Sequence, residues 1–451
     1  MIVMSDTITE LARRVATGET RSEQLTEDAL SAIATLNPRL NAFITVTSDE
    51  ALASARQADR EIAAGGYRGP LHGMPISLKD IIDMAGVPTT AASKLREGRL
   101  ATRDAPVVSH LRQAGAVFVG KTNLHEFAFG TTNEDSAFGP ARNPVDDSRS
   151  PGGSSGGSAI AVRTGMSVAS IGTDTGGSIR IPAAACGVVG LKPSWSEVSA
   201  DAIIPLSRQL DHVGPLTRSV ADAALLFDVL RGIAAPSVSP SEPPDASRLS
   251  LALLGGYFMD RLGEEVEAGI HAAIETVRHA GATIAETSLS HADDVAPIYL
   301  HVVLADAAAY HAATLEGRPH AYTHNVRIRL EMGRAILAED YVRALRGRAV
   351  LRREVDRALH GVDALILPAL SIEAPPIGAG SVAVKGGSEP VRTAMLRCTQ
   401  LFNLTGHPAI SLPCGTTRAG LPIGLQIVGH MGRTPDLLRV ARAVEYTLLP
   451  P

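Results

Sequence analysis

Aromatic residues are scarce in this chain: one Trp, seven Tyr and eight Phe occur among 451 residues, although 45 % of the chain is hydrophobic. A core built instead from Ala, Val, Ile and Leu suits helices packed on a sheet better than an aromatic-rich β-sandwich. Cysteine is scarcer still. Cys186, Cys398 and Cys414 are odd in number, widely spaced and form no CxxC, so neither a disulfide framework nor a zinc site is indicated. Charge of one sign is also lacking. The net charge of −5 gives no bulk electrostatic footprint for nucleic acid. The densest basic run, Arg343 to Arg357, is flanked or interrupted by Glu339, Asp340, Glu354 and Asp356 and reads as a solvated helix face. No basic, apolar leader opens the sequence, and no run of about 18 apolar residues is present to span a membrane. The expectation is a soluble, reducing, cytoplasmic setting with neither membrane nor nucleic acid among the partners.

The length exceeds the roughly 250–300 residues at which one core usually stops growing. Two domains, or one large α/β unit with insertions, would accommodate it. Thr7 with Glu10 has the pattern of a capping box opening a helix over 8–16. Helical periodicity follows over 25–36 and 51–64. From about 67 to 235 short apolar strands alternate with helices, with strands near 73–80, 116–120, 168–172 and 188–191. The Pro/Ser-rich stretch 236–248 reads as a linker or surface crossing. Residues 260–360 read as mostly helical, a variable insertion. Strands return at 364–368, 409–413 and 423–428 before a closing helix at 435–448, and are expected to rejoin the same sheet.

Three stretches carry the chemistry. Lys79 ends an apolar segment, Ser154 follows 75 residues later, and Ser178 follows after 24 more. Nine of the eleven residues from Ser148 to Ser158 are Gly or Ser, yet the tract runs directly into apolar segments, unlike a linker. The turn Gly176-Gly177-Ser178 can aim consecutive N–H groups at one spot and cradle an anion, as an oxyanion hole must. A helix starting near Ile181 would add the positive end of its dipole. A serine nucleophile needs a base, and a lysine serves only when burial keeps it neutral. Ser154 can then relay the proton between Ser178 and Lys79.

With these residues in view, the chain resembles the amidase signature family. The likeness is carried by Gly73-Met-Pro-Ile-Ser-Leu-Lys-Asp80, Gly120-Lys-Thr-Asn-Leu-His-Glu-Phe-Ala-Phe-Gly130, 151–158 and 172–193, with echoes at 211–218, 402–409 and 420–426. It implies an α/β fold, a central mixed β-sheet surrounded by α-helices, as a single domain over 1–451. Residues 67–235 would form the catalytic core segment and 260–360 the substrate mouth. It also implies a Ser–cisSer–Lys triad: Ser178 as nucleophile, Ser154 as bridge after a cis Gly153–Ser154 peptide, Lys79 as base. The N–H groups of Thr175, Gly176, Gly177 and Ser178 would form the oxyanion hole. Ala128 and Ser154 would line the substrate site, with Ser155, Asp174 and Arg180 in support. The implied reaction is hydrolysis of a small amide-type molecule, with no metal or organic cofactor and a homodimer left open. Phe127, Phe129 and Phe138 read as an apolar acyl pocket, with Trp195, Tyr310, Tyr322 and Tyr341 near the mouth.

Two rivals accompany this reading. Gly153-Ser154-Ser155-Gly156-Gly157 satisfies G-x-S-x-G, which would make Ser155 the nucleophile of an α/β-hydrolase with Asp363 and His407. The other is the glutaminase component of a glutamyl-tRNA(Gln) amidotransferase, which shares the triad and works with partner subunits. Against it, Leu396 stands where that component's glutamine-binding acid is expected, leaving Arg348 without its counterpart.

Overall fold

The short apolar stretches around the three motifs form strands because each is bounded by Gly, Pro or charged residues. The computed structural model describes residues 6–233 and 245–448. The expected linker at 236–248 therefore lies, up to residue 244, outside the described residues. Thirteen strands occur among them: β1 (Phe43–Val46), β2 (Pro75–Lys79), β3 (Val117–Thr122), β4 (Ala169–Asp174), β5 (Val189–Lys192), β6 (His212–Thr217), β7 (Ser250–Leu254), β8 (Thr283–Thr287), β9 (Ala364–Pro368), β10 (Ser381–Val384), β11 (Gly387–Pro390), β12 (Ala409–Thr416) and β13 (Pro422–Val428). Eleven form one sheet in the order β1-β3-β2-β4-β6-β5-β12-β13-β9-β7-β8, and β10 pairs with β11 as a separate hairpin.

The sheet is mixed. β2 runs parallel to both β3 and β4, whereas β4 pairs antiparallel with β6. The late strands β12 and β13 join through β5, so the two halves of the sequence share one sheet. Every residue of β2, β3, β4 and β6 is buried. Such strands need cover on both faces, and helices supply it.

The expected capping box is present: Glu10 N–H donates to Thr7 Oγ1, and Thr7 N–H donates to Glu10 Oε2. Residues 260–360 hold four long helices, Glu264–His279, Val295–Gly317, His324–Arg334 and Ala338–Ala358, together with the edge strand β8. Length and apolar composition would let the helical segment 292–317 cross a membrane. Here its Tyr299, Val302, Val303 and Ala307 are buried against neighbouring helices, as in a core helix. The basic run lies on Ala338–Ala358 and is paired within that helix, Arg343 with Asp340 and Arg357 with Glu354.

Candidate active site

β2 and β4 are parallel neighbours, so their C-terminal ends open at the same edge of the sheet. Lys79 closes β2 and Asp174 closes β4. Lys79 is 0 % exposed. Its Nζ lies 2.7 Å from Ser154 Oγ and 2.9 Å from Thr173 Oγ1, with no carboxylate in direct contact. Burial lowers its pKa to about 7, against the pull of Asp174 and Asp211. The Gly153–Ser154 peptide is cis.

Ser154 and Ser155 immediately precede the helix Gly156–Arg163, so the Gly/Ser tract is an ordered turn leading into a helix. A Cβ on Gly157 would lie 2.4 Å from Ala42 O and 2.5 Å from Asn123 O. Only glycine lets that helix sit so close to the neighbouring backbone.

After β4 comes the turn 175–178. Asp174 anchors it: its carboxylate accepts from Gly177 N–H at 2.8 Å and Ile179 N–H at 3.1 Å, and it pairs with Arg180. Burial acts against its ionisation, but the Arg180 guanidinium holds it well below the usual carboxylate range. Arg180 is itself fully buried and reaches across the molecule to Thr399 O, Gln426 Oε1 and Asn403 Oδ1. Thr399 Oγ1 donates to Gly176 O. Asp174 and Arg180 thus support the turn rather than line a cavity.

Among the described residues, the N–H groups of Thr175, Gly176 and Ser178 carry no hydrogen bond. Gly177 differs from the other three expected oxyanion donors, because its N–H is committed to Asp174. Ser178 is 7 % exposed, the most open of the three catalytic candidates.

A cavity of about 260 Å³ adjoins the turn, lined by Ala128, Thr173, Thr175, Ile204 and Asp211 among others. Ala128 and Phe127 have φ of 59° and 50°, the left-handed region, which turns the backbone at 127–128. Asp211 accepts from Thr175 Oγ1 and from the N–H groups of Leu206 and Ser207. Burial raises its pKa to about 6 despite those bonds.

The insertion docks on the same loop. Thr323 donates to Glu126, and Arg329 Nη1 donates to Phe129 O. Phe127 packs on His311 and Tyr322, whereas Phe138 is at the surface. Trp195 bonds through its N–H to Gly406 O and does not line the cavity. The α/β-hydrolase arrangement is not assembled. Ser155 Oγ donates to Thr173 O, Asp363 accepts from Ser250 N–H, and His407 pairs with Asp356. Arg348 is tied to Leu404 O and to Gln209. Sequence reasoning missed Thr173, Tyr299, Thr399 and Arg392. Asn403 and Gln426 fell within the family-like segments but carried no role.

The sequence model of the amidase family matches residues 24–438. In Myxococcus xanthus (strain DK1622), the glutamyl-tRNA(Gln) amidotransferase component of the same family is 38 % identical, covering 97 % of this chain and 96 % of that protein. A crystal structure described as an amidase superposes with TM-score 0.92 at 39 % identity, covering 98 % of this chain and 100 % of the other. The native peptide amidase from Stenotrophomonas maltophilia gives TM-score 0.81 at 31 % identity over 99 % and 97 %. These relatives correct one expectation, that nucleic acid has no part among the partners, because the first is one subunit of an enzyme named for glutamyl-tRNA(Gln). Net charge describes the field of this chain alone, not the substrate of an assembly to which one chain contributes. With a family match over nearly the whole chain and close structural likeness at its full length, the protein belongs to the amidase family and is an enzyme of the C–N hydrolase type.

Proposed function

We propose that this protein hydrolyses small to medium amide-type substrates through an acyl intermediate on Ser178, as a stand-alone enzyme in the cytoplasm. The observation that carries the reading is the buried amine of Lys79, which titrates near pH 7 and lies 2.7 Å from Ser154 Oγ. Three unpaired cysteine thiols fit a reducing compartment. The whole chain acts as one unit: 67–235 supplies the triad and 260–360 the mouth.

Ser178 Oγ attacks the carbonyl carbon. Its proton passes to Ser154, whose own proton passes to neutral Lys79. The anionic oxygen is held by the N–H groups of Thr175, Gly176 and Ser178, each such donor contributing about 3–4 kcal/mol. As the C–N bond breaks, the proton returns through Ser154 to the departing nitrogen. Water then attacks the acyl carbon and gives its proton to the same relay, and Ser178 leaves as its hydroxyl. Ser155, bonded to Thr173 O and to Ser178 O, holds the two halves of the site in register. Carbamates, anilides and esters fall within the same chemistry.

A second reading is favoured by the relatives: the glutaminase component of a glutamyl-tRNA(Gln) amidotransferase, drawing ammonia from glutamine. Wild type, Ser178→Ala and Lys79→Ala assayed on an anilide, an aryl carbamate, an aryl ester and glutamine separate the two. The hydrolase reading expects both variants to lose about 10³-fold or more on the cleaved amide or carbamate. Full amide turnover by Lys79→Ala would sink the lysine-base mechanism. Turnover of glutamine alone would favour the amidotransferase.

A further inference from the structure

Arg392 stands on the short helix Val391–Leu396, one turn before Leu396, so the two share a face. That face meets the turn 175–178. A Cβ on Gly176 would lie 2.3 Å from Tyr299 Oη and 3.1 Å from Leu396 Cδ2, so the phenol and the leucine close over it. On its other side Arg392 lies over the ring of Phe129, Cζ 5.7 Å from the centroid, next to cavity-lining Ala128.

Among the described residues this half-buried guanidinium has neither a hydrogen bond nor an ion pair. The other arginines around the site are engaged: Arg180 with Asp174, Arg348 with Leu404 O, Arg329 with Phe129 O, Arg397 with Glu389. The acids of the adjoining loop are taken, Asp135 by His125 and Asn325, Glu126 by Thr323. Tyr299 Oη, on a side chain only 4 % exposed, is likewise without a hydrogen bond. Burial holds its pKa up at about 12, so the phenol keeps its proton and donates. Arginine does not deprotonate in proteins, and a partly desolvated cation without a partner is costly. Its planar fork matches a carboxylate, and the phenol adds one more donor beside it.

We propose that Arg392, with the Tyr299 hydroxyl, recognises a carboxylate carried by the substrate. The inference rests on the hydrolase reading for its link to turnover, but the anion site is testable without it. It also specifies what the substrate lacks. Leu396, on the same face, offers nothing to an ammonium group. A carboxylate-bearing amide such as glutaramate is therefore preferred to glutamine, which differs from it by the α-amino group.

The experiment compares kcat/KM for glutaramate, its neutral analogue valeramide, and glutamine. N-acetyl-β-alanine and N-propylacetamide form a second pair, with the carboxylate on the amine side of the scissile bond. Wild type is expected to favour the acid of at least one pair by about 10–100-fold, and Arg392→Gln to bring that ratio towards one, with partial recovery in Arg392→Lys. In parallel, binding of glutaramate and valeramide to Ser178→Ala, with and without Arg392→Gln, is measured by calorimetry. If wild type cleaves the neutral amides with no preference for the acids, or the preference survives Arg392→Gln, the proposal is wrong and the hydrolase reading stands. If nothing is cleaved yet Ser178→Ala binds glutaramate in an Arg392-dependent way, the anion site stands and the hydrolase reading falls. If nothing is cleaved and the acid does not bind, both fall.

Discussion

The amine of Lys79 has to be neutral to accept a proton, and its place at the end of β2 makes it so. The cost of burying a charge outweighs the pull of Asp174 and Asp211, and the group titrates near 7 instead of 10.5. The sign of the pH dependence follows. Below 7 the amine is protonated and cannot act as base, so kcat/KM should rise with pH through about 7 and level off above it. Asp211→Asn takes away a negative charge that raises the lysine pKa, so the rising limb should move to lower pH. A pH–rate profile of the two proteins checks this, and a limb that stays in place would show that Asp211 does not act on Lys79. Lys79, Ser154 and Ser178 were legible in the sequence because glycine and serine cluster around them and an apolar strand runs into the lysine. Thr173 was not, since a buried strand threonine looks the same whether or not it holds an amine. Tyr299 and Arg392 had no local signal either, because both reach the turn from elements more than a hundred residues further on.

At the scale of the element, the Gly/Ser tract shows how glycine can mislead. The tract 148–158 was recognised as functional, but its second half forms the start of the helix Gly156–Arg163. Helix propensity alone predicts that Gly157→Ala stabilises by about 1 kcal/mol. The contacts reverse the sign. The new methyl would lie 2.4 Å from Ala42 O and 2.5 Å from Asn123 O, both backbone atoms that cannot swing away. Overpacking of this kind costs about 1–3 kcal/mol or more. Gly157→Ala should therefore lower the urea midpoint and also impair turnover, because Ser154 is positioned by the same turn. A raised midpoint would mean that the helix shifts freely and that the close approach is not a constraint. Strands β1, β6 and β8 escaped the sequence reading for the opposite reason. They are short or carry polar residues, and only pairing across the sheet makes them strands.

Across the whole molecule, the turn bearing Ser178 is held by residues from the far end of the chain. Asp174 and Arg180 lie in the first half, and Thr399, Asn403 and Gln426, which satisfy Arg180, lie in the last quarter. The sheet explains why this is possible, since β5 pairs with β12 and brings the late strands beside the early ones. Sequence periodicity indicated that the late strands rejoin the sheet but could not show a buried cation shared between the halves, because nothing local to 399–426 differs from ordinary core. The network separates two effects. Asp174→Asn keeps an acceptor for Gly177 N–H but leaves Arg180 buried without its counter-charge, so it should destabilise by about 3–5 kcal/mol. Gln426→Leu removes one acceptor from a charged donor, together with the bond from Gln426 to Cys398 O, and should cost less, about 1.5–3 kcal/mol. The two also differ in chemistry. Asp174 is the larger of the two charges raising the Lys79 pKa, so Asp174→Asn should move the rising limb of the pH–rate profile to lower pH, whereas Gln426→Leu should leave it near 7. Urea unfolding gives the order of stability and the pH profile gives the coupling. If both variants lose the same stability and neither moves the limb, Asp174 is only a structural anchor of the turn. If Asp174→Asn alone moves it, one carboxylate both fixes the turn that carries Ser178 and sets the pH at which its base works.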